Sequence, residues 1–321
     1  EILYRSMKIL QELGVEEFVV VTNRFHEEKM KRFLEEEGFK HTLVINDEPE
    51  RGNGYSLYLS RDFIDGKFIL IMCDHVYEKE FLKKAINGKG LIVDSVGKYI
   101  DQKEATKVIC KEGRVSKIGK EVERYDYFDT GIFVLEPEVF NYADEVIKEK
   151  GSAELSEIVE RAKLEVTEVS GYLWMDIDNV RNLRMARKLL IRNSLKGKKD
   201  GIISRNINRR ISTAISELLV DRITPNQATI FTFLIGMVSG LFNLLDPVLG
   251  GLVYQLSSIL DGVDGEIARA SMRISKFGGW FDSILDRYVD FFFLSTLAVY
   301  ARFELEFWPV IVLAVFGSTM V

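Results

Sequence analysis

The residues best suited to chemistry lie in one stretch. Asp261, Asp264 and Ala268 recur at i, i+3 and i+7, Asp282 and Asp286 at i and i+4, and Asp290 adds one more turn. On helices each set shares a face. Two such helices side by side bring Asp261, Asp264, Asp282 and Asp286 together. Close carboxylates repel and raise one another's pKa, and a divalent cation relieves the repulsion. Hard oxygen ligands favour Mg²⁺ or Mn²⁺ over zinc. Two ions bridged by aspartates would clamp a pyrophosphate. Gly265, Ala268 and Gly278 lack bulk, so a nucleotide could approach the helix backbones. Arg269 can meet a phosphate with its planar fork of donors. The plainer reading is a buried ion-pair network, but Arg269 alone cannot neutralise that many acids.

The surrounding chain has 321 residues, which favours more than one domain. Its net charge of −6 gives a nucleic-acid role no bulk support, and 47% hydrophobic residues exclude a disordered chain. Cys73 and Cys110 are too few for a disulfide framework, and no Cys/His zinc spacing occurs. The chain opens on Glu1 and closes on Val321 inside an apolar run, which reads as a piece of a longer protein.

Residues 1–190 read as α/β. Apolar runs at 18–21, 41–45, 68–72, 90–94, 105–110, 130–135 and 165–170 predict strands. Helical patterns fall at 26–37, 78–87 and 154–163. The alternation predicts a mostly parallel sheet covered on both faces. Residues 191–225 form a basic linker, broken at Gly197 and Gly201. Within it, Ile202 to Leu219 has the spacing of a juxtamembrane amphipathic helix on an anionic surface; the alternative is a solvated charged linker. After Thr224-Pro225-Asn226, apolar segments at 227–245, 247–270, 277–300 and from 307 onward are long enough to predict membrane spans. The basic residues before the first span, with Arg269, Arg273 and Lys276 between the second and third, predict a multi-pass cell-membrane protein whose N-terminal domain and active sites are cytoplasmic. The fold class is thus multidomain: a cytosolic α/β, Rossmann-like domain plus an α-helical transmembrane bundle over 226–321.

In the first domain, Arg51-Gly52-Asn53-Gly54 is a Gly-rich turn. Cys73-Asp74-His75 and Trp174-Met175-Asp176 each end a strand, where α/β folds bind ligands. Two such acids can share a metal on a nucleotide's phosphates. Separately, an Asp after a strand is as readily a helix cap, and Gly-Asn-Gly a simple turn.

The pattern Asp261-x-x-Asp264-Gly265-x-x-Ala268-Arg269-x8-Gly278-x3-Asp282-x3-Asp286 resembles the signature of the CDP-alcohol phosphotransferase family at every fixed position. The resemblance implies a usually dimeric membrane enzyme that moves a substituted phosphoryl group from a CDP-alcohol to a second alcohol and releases CMP. It makes Asp261, Asp264 and Asp282 metal ligands and Asp286 both ligand and general base. It sets Gly265, Ala268, Arg269 and Gly278 along the CDP. Asp290 either supports Asp286 or lines the cavity. The first domain resembles the sugar-nucleotidyltransferase-like family. That likeness makes Asp74 and Asp176 metal-binding acids, Gly52, Asn53 and Gly54 a turn beside the base, and Thr130-Gly131 the lining of the acceptor pocket. The family's Gly-rich phosphate loop is not present before Glu1.

Together the two domains resemble the bifunctional family that joins inositol-1-phosphate cytidylyltransferase to di-myo-inositol-phosphate-phosphate synthase. That implies CTP and inositol-1-phosphate as substrates of the first domain. CDP-inositol and a second inositol-1-phosphate would serve the second domain. Mg²⁺ (or Mn²⁺) is implied, as two ions at the membrane site and one at the cytosolic site. A homodimer and contact with membrane lipid are implied as well. Candidates for the acceptor's phosphate are Arg205, Arg209, Arg210, Arg273 and Lys276, which could equally bind anionic lipid heads. Abundant Glu and Lys, with glutamine only at 11, 102, 227 and 255, lean toward a thermophile. Three alternatives stand: a phospholipid synthase using a CDP-diacylglycerol donor, a non-catalytic cytosolic domain, and a cation transporter using the aspartates.

Overall fold

A computed structural model describes residues 2–194, 208–271, 273–301 and 308–319. The chain divides into two compact units, Glu1–Asp178 and Asn179–Val321. The first contains α1 (Ile2–Glu12), β1 (Phe18–Asn23), α2 (Glu27–Glu36), β2 (His41–Asn46), α3 (Asn53–Leu59), β3 (Phe68–Ile71), β4 (His75–Tyr77), α4 (Lys79–Ala85) and β5 (Gly90–Asp94). It continues through β6 (Lys107–Lys111), β7 (Arg114–Gly119), β8 (Tyr127–Leu135), α5 (Val139–Lys150), α6 (Leu155–Ala162), β9 (Val166–Glu168) and β10 (Trp174–Asp176).

The main sheet runs β7-β6-β8-β5-β9, with β3 also on β8. Its centre, β5 and most of β8, is buried, and Leu91, Val93, Phe133 and Leu135 pack with Phe140, Ala143, Ile158 and Val159 of α5 and α6. The α/β reading stands, but the expected mostly parallel sheet does not. Among the described strands, only β1–β2 and β5–β9 pair in parallel; β3, β5 and β6 all meet β8 antiparallel. The cause is partly local. Glu112 and Gly113, at φ 53 and 75, join β6 to β7. Such a short turn with positive φ permits only an antiparallel hairpin. A strand buried on both faces also loses the alternation that would mark its direction of pairing.

The second unit is helical: α7 (Val180–Ser194), α8 (Arg209–Leu219), α9 (Pro225–Asn243), α10 (Pro247–Ala270), α11 (Lys276–Tyr300) and α12 (Trp308–Thr319). Thr224 and Gln227 form a capping box ahead of α9, with Pro225 in its first turn. Asp246 caps α10 and Ser275 caps α11, each supplying an acceptor for an otherwise orphaned N–H. Helix α9 packs against both α10 and α11. Small residues on it allow close approach. A Cβ on Gly236 would stand 2.5 Å from Val289 Cγ1, and one on Gly240 2.4 Å from Phe292 Cδ1. Nearby, Asn243 donates to Phe293 O at 3.1 Å.

The expected transmembrane bundle is overturned. Among the described residues, no helix is long and apolar enough to cross a membrane. Helix α9 begins Pro225-Asn226-Gln227 and ends on Asn243, and α12 has 12 residues. Charges interrupt α10 (Asp261, Asp264, Glu266, Arg269) and α11 (Asp282, Asp286, Arg287, Asp290). The multi-pass cell-membrane localisation, its topology and the membrane-lipid partner lose their basis with the spans. Over its described part, α8 buries Ser212 and Ser216 and packs on α10. Basic residues of the region are already engaged, Arg192 with Glu217 and Arg187 with Asp221. Gly197, Gly201 and Arg205 lie outside the described residues.

The α9–α11 contact yields a direct test. Gly240→Ala puts a methyl group against the Phe292 ring, and overpacking of this kind costs about 1–3 kcal/mol. A lowered melting temperature in a thermal scan of the variant is expected; an unchanged one would contradict the packing.

Candidate functional site

Helix α10 carries Asp261, and α11 carries Asp282 and Asp286 one turn apart. One carboxylate oxygen from each lies within 4.8 Å of the others. Desolvation, then the facing Asp286 and Asp264 carboxylates, push Asp261 up to about 7. Desolvation, then Asp264 and Asp286, push Asp282 up to about 8. Asp286 is raised by desolvation and by Asp290. The all-carboxylate donor set suits a hard divalent cation such as Mg²⁺, and such an ion would offset the repulsion that these shifts express.

Asp264 stands beside this group. Its Oδ2 accepts from Thr229 Oγ1 of α9 at 2.6 Å, its other oxygen accepts from the Gly265 N–H, and it neighbours Asp282. Asp290 accepts from Tyr254 O–H at 2.5 Å and pairs with Arg287 at 3.6 Å. Arg269 Nη1 lies 3.0 Å from where a Cβ on Gly265 would stand. A Cβ on Gly278 would meet Ser275 Oγ at 3.0 Å and Asn226 Oδ1 at 3.5 Å. Ala268 is half-buried on the same helix as Gly265. Of the basic candidates, Arg209 and Arg210 open α8, Arg209 close enough to oppose the charge of Arg269. Arg273 is exposed between α10 and α11, and Lys276 is exposed as the first residue of α11.

In the first unit, β4 and β10 bring the two acids together: Asp176 ends β10 as expected, but Asp74 lies in the turn just ahead of β4 and not at the end of a strand. Asp176 is in register with His75, and Ile177 N–H donates to Asp74 O at 2.8 Å. The His75 ring meets Asp74 through Nδ1 at 2.7 Å and lies parallel to Trp174 at 6.3 Å between centroids. The His75 hydrogen bond lowers the Asp74 pKa, whereas desolvation raises that of Asp176. Trp174 Nε1 donates to buried Asp94 at 2.8 Å, which fixes β10. Opposite, the register of β5 against β8 shifts between Ile92 and Val93, and such bulges re-aim side chains. There Gly131 has φ 71, and a Cβ on it would stand 3.0 Å from His75 Nε2. Asp129, in the same bulge and within electrostatic reach of His75, is pushed by desolvation to about 6.

Gly52, Asn53 and Gly54 serve a packing need. A Cβ on Gly52 would fall 2.4 Å from Ala153 O, and one on Gly54 2.7 Å from Ile158 Cδ1. Asn53 Oδ1 accepts the Leu155 N–H at 2.7 Å. Sequence reasoning missed Asp129, Thr229 and Tyr254. Asp129 directly precedes the Thr130-Gly131 pair, which is a usable signal. Thr229 sits four residues after Pro225 on the buried face of α9, and Tyr254 lies seven before Asp261, a helical repeat of two turns.

Two family descriptions match the chain: nucleotidyl transferase over residues 1–193 and CDP-alcohol phosphatidyltransferase over residues 222–321. The chain is 53% identical over 321 residues to the "Bifunctional IPC transferase and DIPP synthase" of Aquifex aeolicus (strain VF5), covering 100% of this chain and 75% of that one. It is 50% identical over 323 residues to the protein of the same description from Thermococcus kodakarensis, covering 100% and 74%. Among solved structures, the inositol-1-phosphate CTP transferase from T. maritima superposes with a TM-score of 0.52 at 30% identity, covering 57% of this chain and 78% of that one.

The raised carboxyl groups set a pH dependence. Groups held protonated without a cation must release protons on binding one. Mg²⁺ or Mn²⁺ affinity is therefore expected to tighten as pH rises through about 7 to 8, the values for Asp261 and Asp282. Without a cation the sign reverses. Folded-state values above the unfolded 3.8 favour stability at low pH; that stability is full below 3.8 and is lost as pH rises from there through about 7 to 8. Calorimetric titration at several pH values checks the first. A pH-independent affinity would contradict it.

Proposed function

This chain belongs to the family of the bifunctional IPC transferase and DIPP synthases, and on that premise we propose that its two units make and then consume a CDP-alcohol. It is an enzyme with a nucleotidyl transferase domain and a CDP-alcohol phosphotransferase domain. We take residues 1–190 as the first, 191–225 as the connection and 226–321 as the second. The first would join CTP and inositol-1-phosphate into CDP-inositol and pyrophosphate. The second would pass the inositol-phosphate group to another inositol-1-phosphate, forming a phosphorylated di-inositol phosphodiester and CMP.

The observation that carries the second step is the convergence of Asp261, Asp282 and Asp286 within 4.8 Å. These carboxylates, with Asp264 beside them, would hold Mg²⁺ or Mn²⁺. When bound, such ions neutralise charge on the diphosphate of the donor and on the departing CMP. Arg269 and the bare backbone at Gly265 and Gly278 would orient the nucleotide. Asp286 takes the proton from the acceptor hydroxyl as its oxygen bonds to the inositol-bearing phosphorus, while the bond from that phosphorus to the CMP oxygen breaks. Thr229 and Tyr254 keep the flanking acids Asp264 and Asp290 in place. Arg209, Arg210, Arg273 and Lys276 remain the proposed contacts of the acceptor's own phosphate.

In the first domain, Asp74 and Asp176 would hold a cation on the CTP phosphates. His75, its ring parallel to that of Trp174, fixes the orientation of Asp74. A phosphate oxygen of inositol-1-phosphate attacks the α-phosphorus, and pyrophosphate leaves.

The steps separate experimentally in the full-length protein. With Mg²⁺, CDP-inositol and inositol-1-phosphate, Asp286→Asn should lower CMP release by about 10²–10⁴-fold and leave pyrophosphate release from CTP intact. Asp176→Asn should do the reverse. Loss of both activities in either variant, or no CMP from the unaltered protein, would sink the assignment.

A further inference from the structure

Glu266 belongs to none of the roles above, yet it is 2% exposed. Its Oε1 accepts from Ser212 Oγ of α8 at 2.9 Å, and Ser212 is equally buried. Its Oε2 is buried without a hydrogen-bond partner among the described residues. Gly262 lies beside the pair: a Cβ there would stand in ordinary contact, 3.7 Å from Ser212 Oγ and 4.0 Å from Glu266 Oε1. A buried carboxylate is strongly unfavourable unless a positive charge faces it. Arg269, at i+3 on the same helix, supplies one. Its guanidinium feels Glu266 and Asp264 as attractive neighbours and Arg209 as a repulsive one. The same guanidinium reaches back over Gly265, with Nη1 3.0 Å from the position of an added Cβ.

Ser212 alone does not explain a carboxylate here. A neutral amide of the same shape would accept its hydrogen bond equally well and avoid the desolvation. The charge has a use only toward the neighbouring cations. We propose that Glu266, anchored by Ser212, is a positioning residue that holds the Arg269 guanidinium over Gly265 to meet the donor's diphosphate. The role rests on the phosphotransfer reading given above and deepens it. It also couples α8, which begins with Arg209 and Arg210, to the nucleotide side of α10. Glu266 touches no reacting atom; it acts through Arg269.

The test uses the full-length protein with Mg²⁺, following CMP release from CDP-inositol and inositol-1-phosphate, with CMP binding by calorimetry in parallel. Glu266→Gln preserves shape and an acceptor for Ser212 but removes the charge. The KM for CDP-inositol should rise about tenfold with kcat within about twofold, and CMP should bind correspondingly more weakly. Added to Arg269→Lys, Glu266→Gln should cause no further rise. A wild-type KM in Glu266→Gln, or additive effects in the double variant, overturns the proposal. Should Glu266→Gln not fold, Ser212→Ala, which frees the anchor without touching the charge, must raise the same KM; an unchanged KM overturns the proposal. If the unaltered protein binds CMP but releases none, and Glu266→Gln weakens that binding, the positioning role is supported and the acceptor chemistry falls instead.

Discussion

Mutual repulsion among Asp261, Asp282 and Asp286 is the constraint around which the second unit is built. At separations of no more than 4.8 Å and an effective dielectric of about 20, each pair would cost about 3 kcal/mol or more if both members were charged. Such a group persists only where packing enforces it and protonation or a bound cation offsets the charge. Helices α10 and α11 touch each other little and pack mainly on α9, so α9 sets the spacing between the acids. Gly236 and Gly240 bring it close to α11, and Thr229 ties it to Asp264. The caps at Thr224, Asp246 and Ser275 fix where each helix starts, and hence which residues face the centre.

The first unit meets a different constraint with the same economy of parts. Its acids flank short strands that need an external fix, Asp74 just ahead of β4 and Asp176 at the end of β10. Asp94 anchors Trp174, and Trp174 and Asp74 hold the His75 ring. The bulge in β8 opposite, with glycine at 131, gives the ring room. Desolvation lifts the Asp129 pKa to about 6, outweighing the N–H that it accepts from Gly131.

Much of this was legible in the residues. The i, i+4 spacing of Asp282 and Asp286 needs only a helix to become a shared face, and Pro247 to Ala270 forms a helix over the expected bounds. Strands at 18–21 and 90–94 lie where their apolar runs placed them. Sheet direction was not legible, because Gly90–Asp94 and the inner part of β8 are buried throughout and carry no alternation. The membrane spans failed because apolar length was read without weighing the charges and the polar first turn within the same helices. Glu266 was invisible because it breaks the face defined by Asp261 and Asp264, and only the approach of Ser212 gives it meaning. The Gly52-Asn53-Gly54 segment reads as a Gly-rich turn; Asn53 and Gly54 open α3 instead, and the need for glycine comes from Ala153 and Ile158, far away in sequence.

In the proposed function one chain makes a CDP-alcohol and then cleaves its diphosphate bond. The most direct test follows a single phosphorus atom. The full-length protein receives Mg²⁺, inositol-1-phosphate and CTP labelled at the α-phosphorus. The label should pass through CDP-inositol and collect in CMP, with an unlabelled phosphodiester accumulating in equal amount. Labelled CDP-inositol that builds up without CMP, or label found in the phosphodiester, would contradict the account.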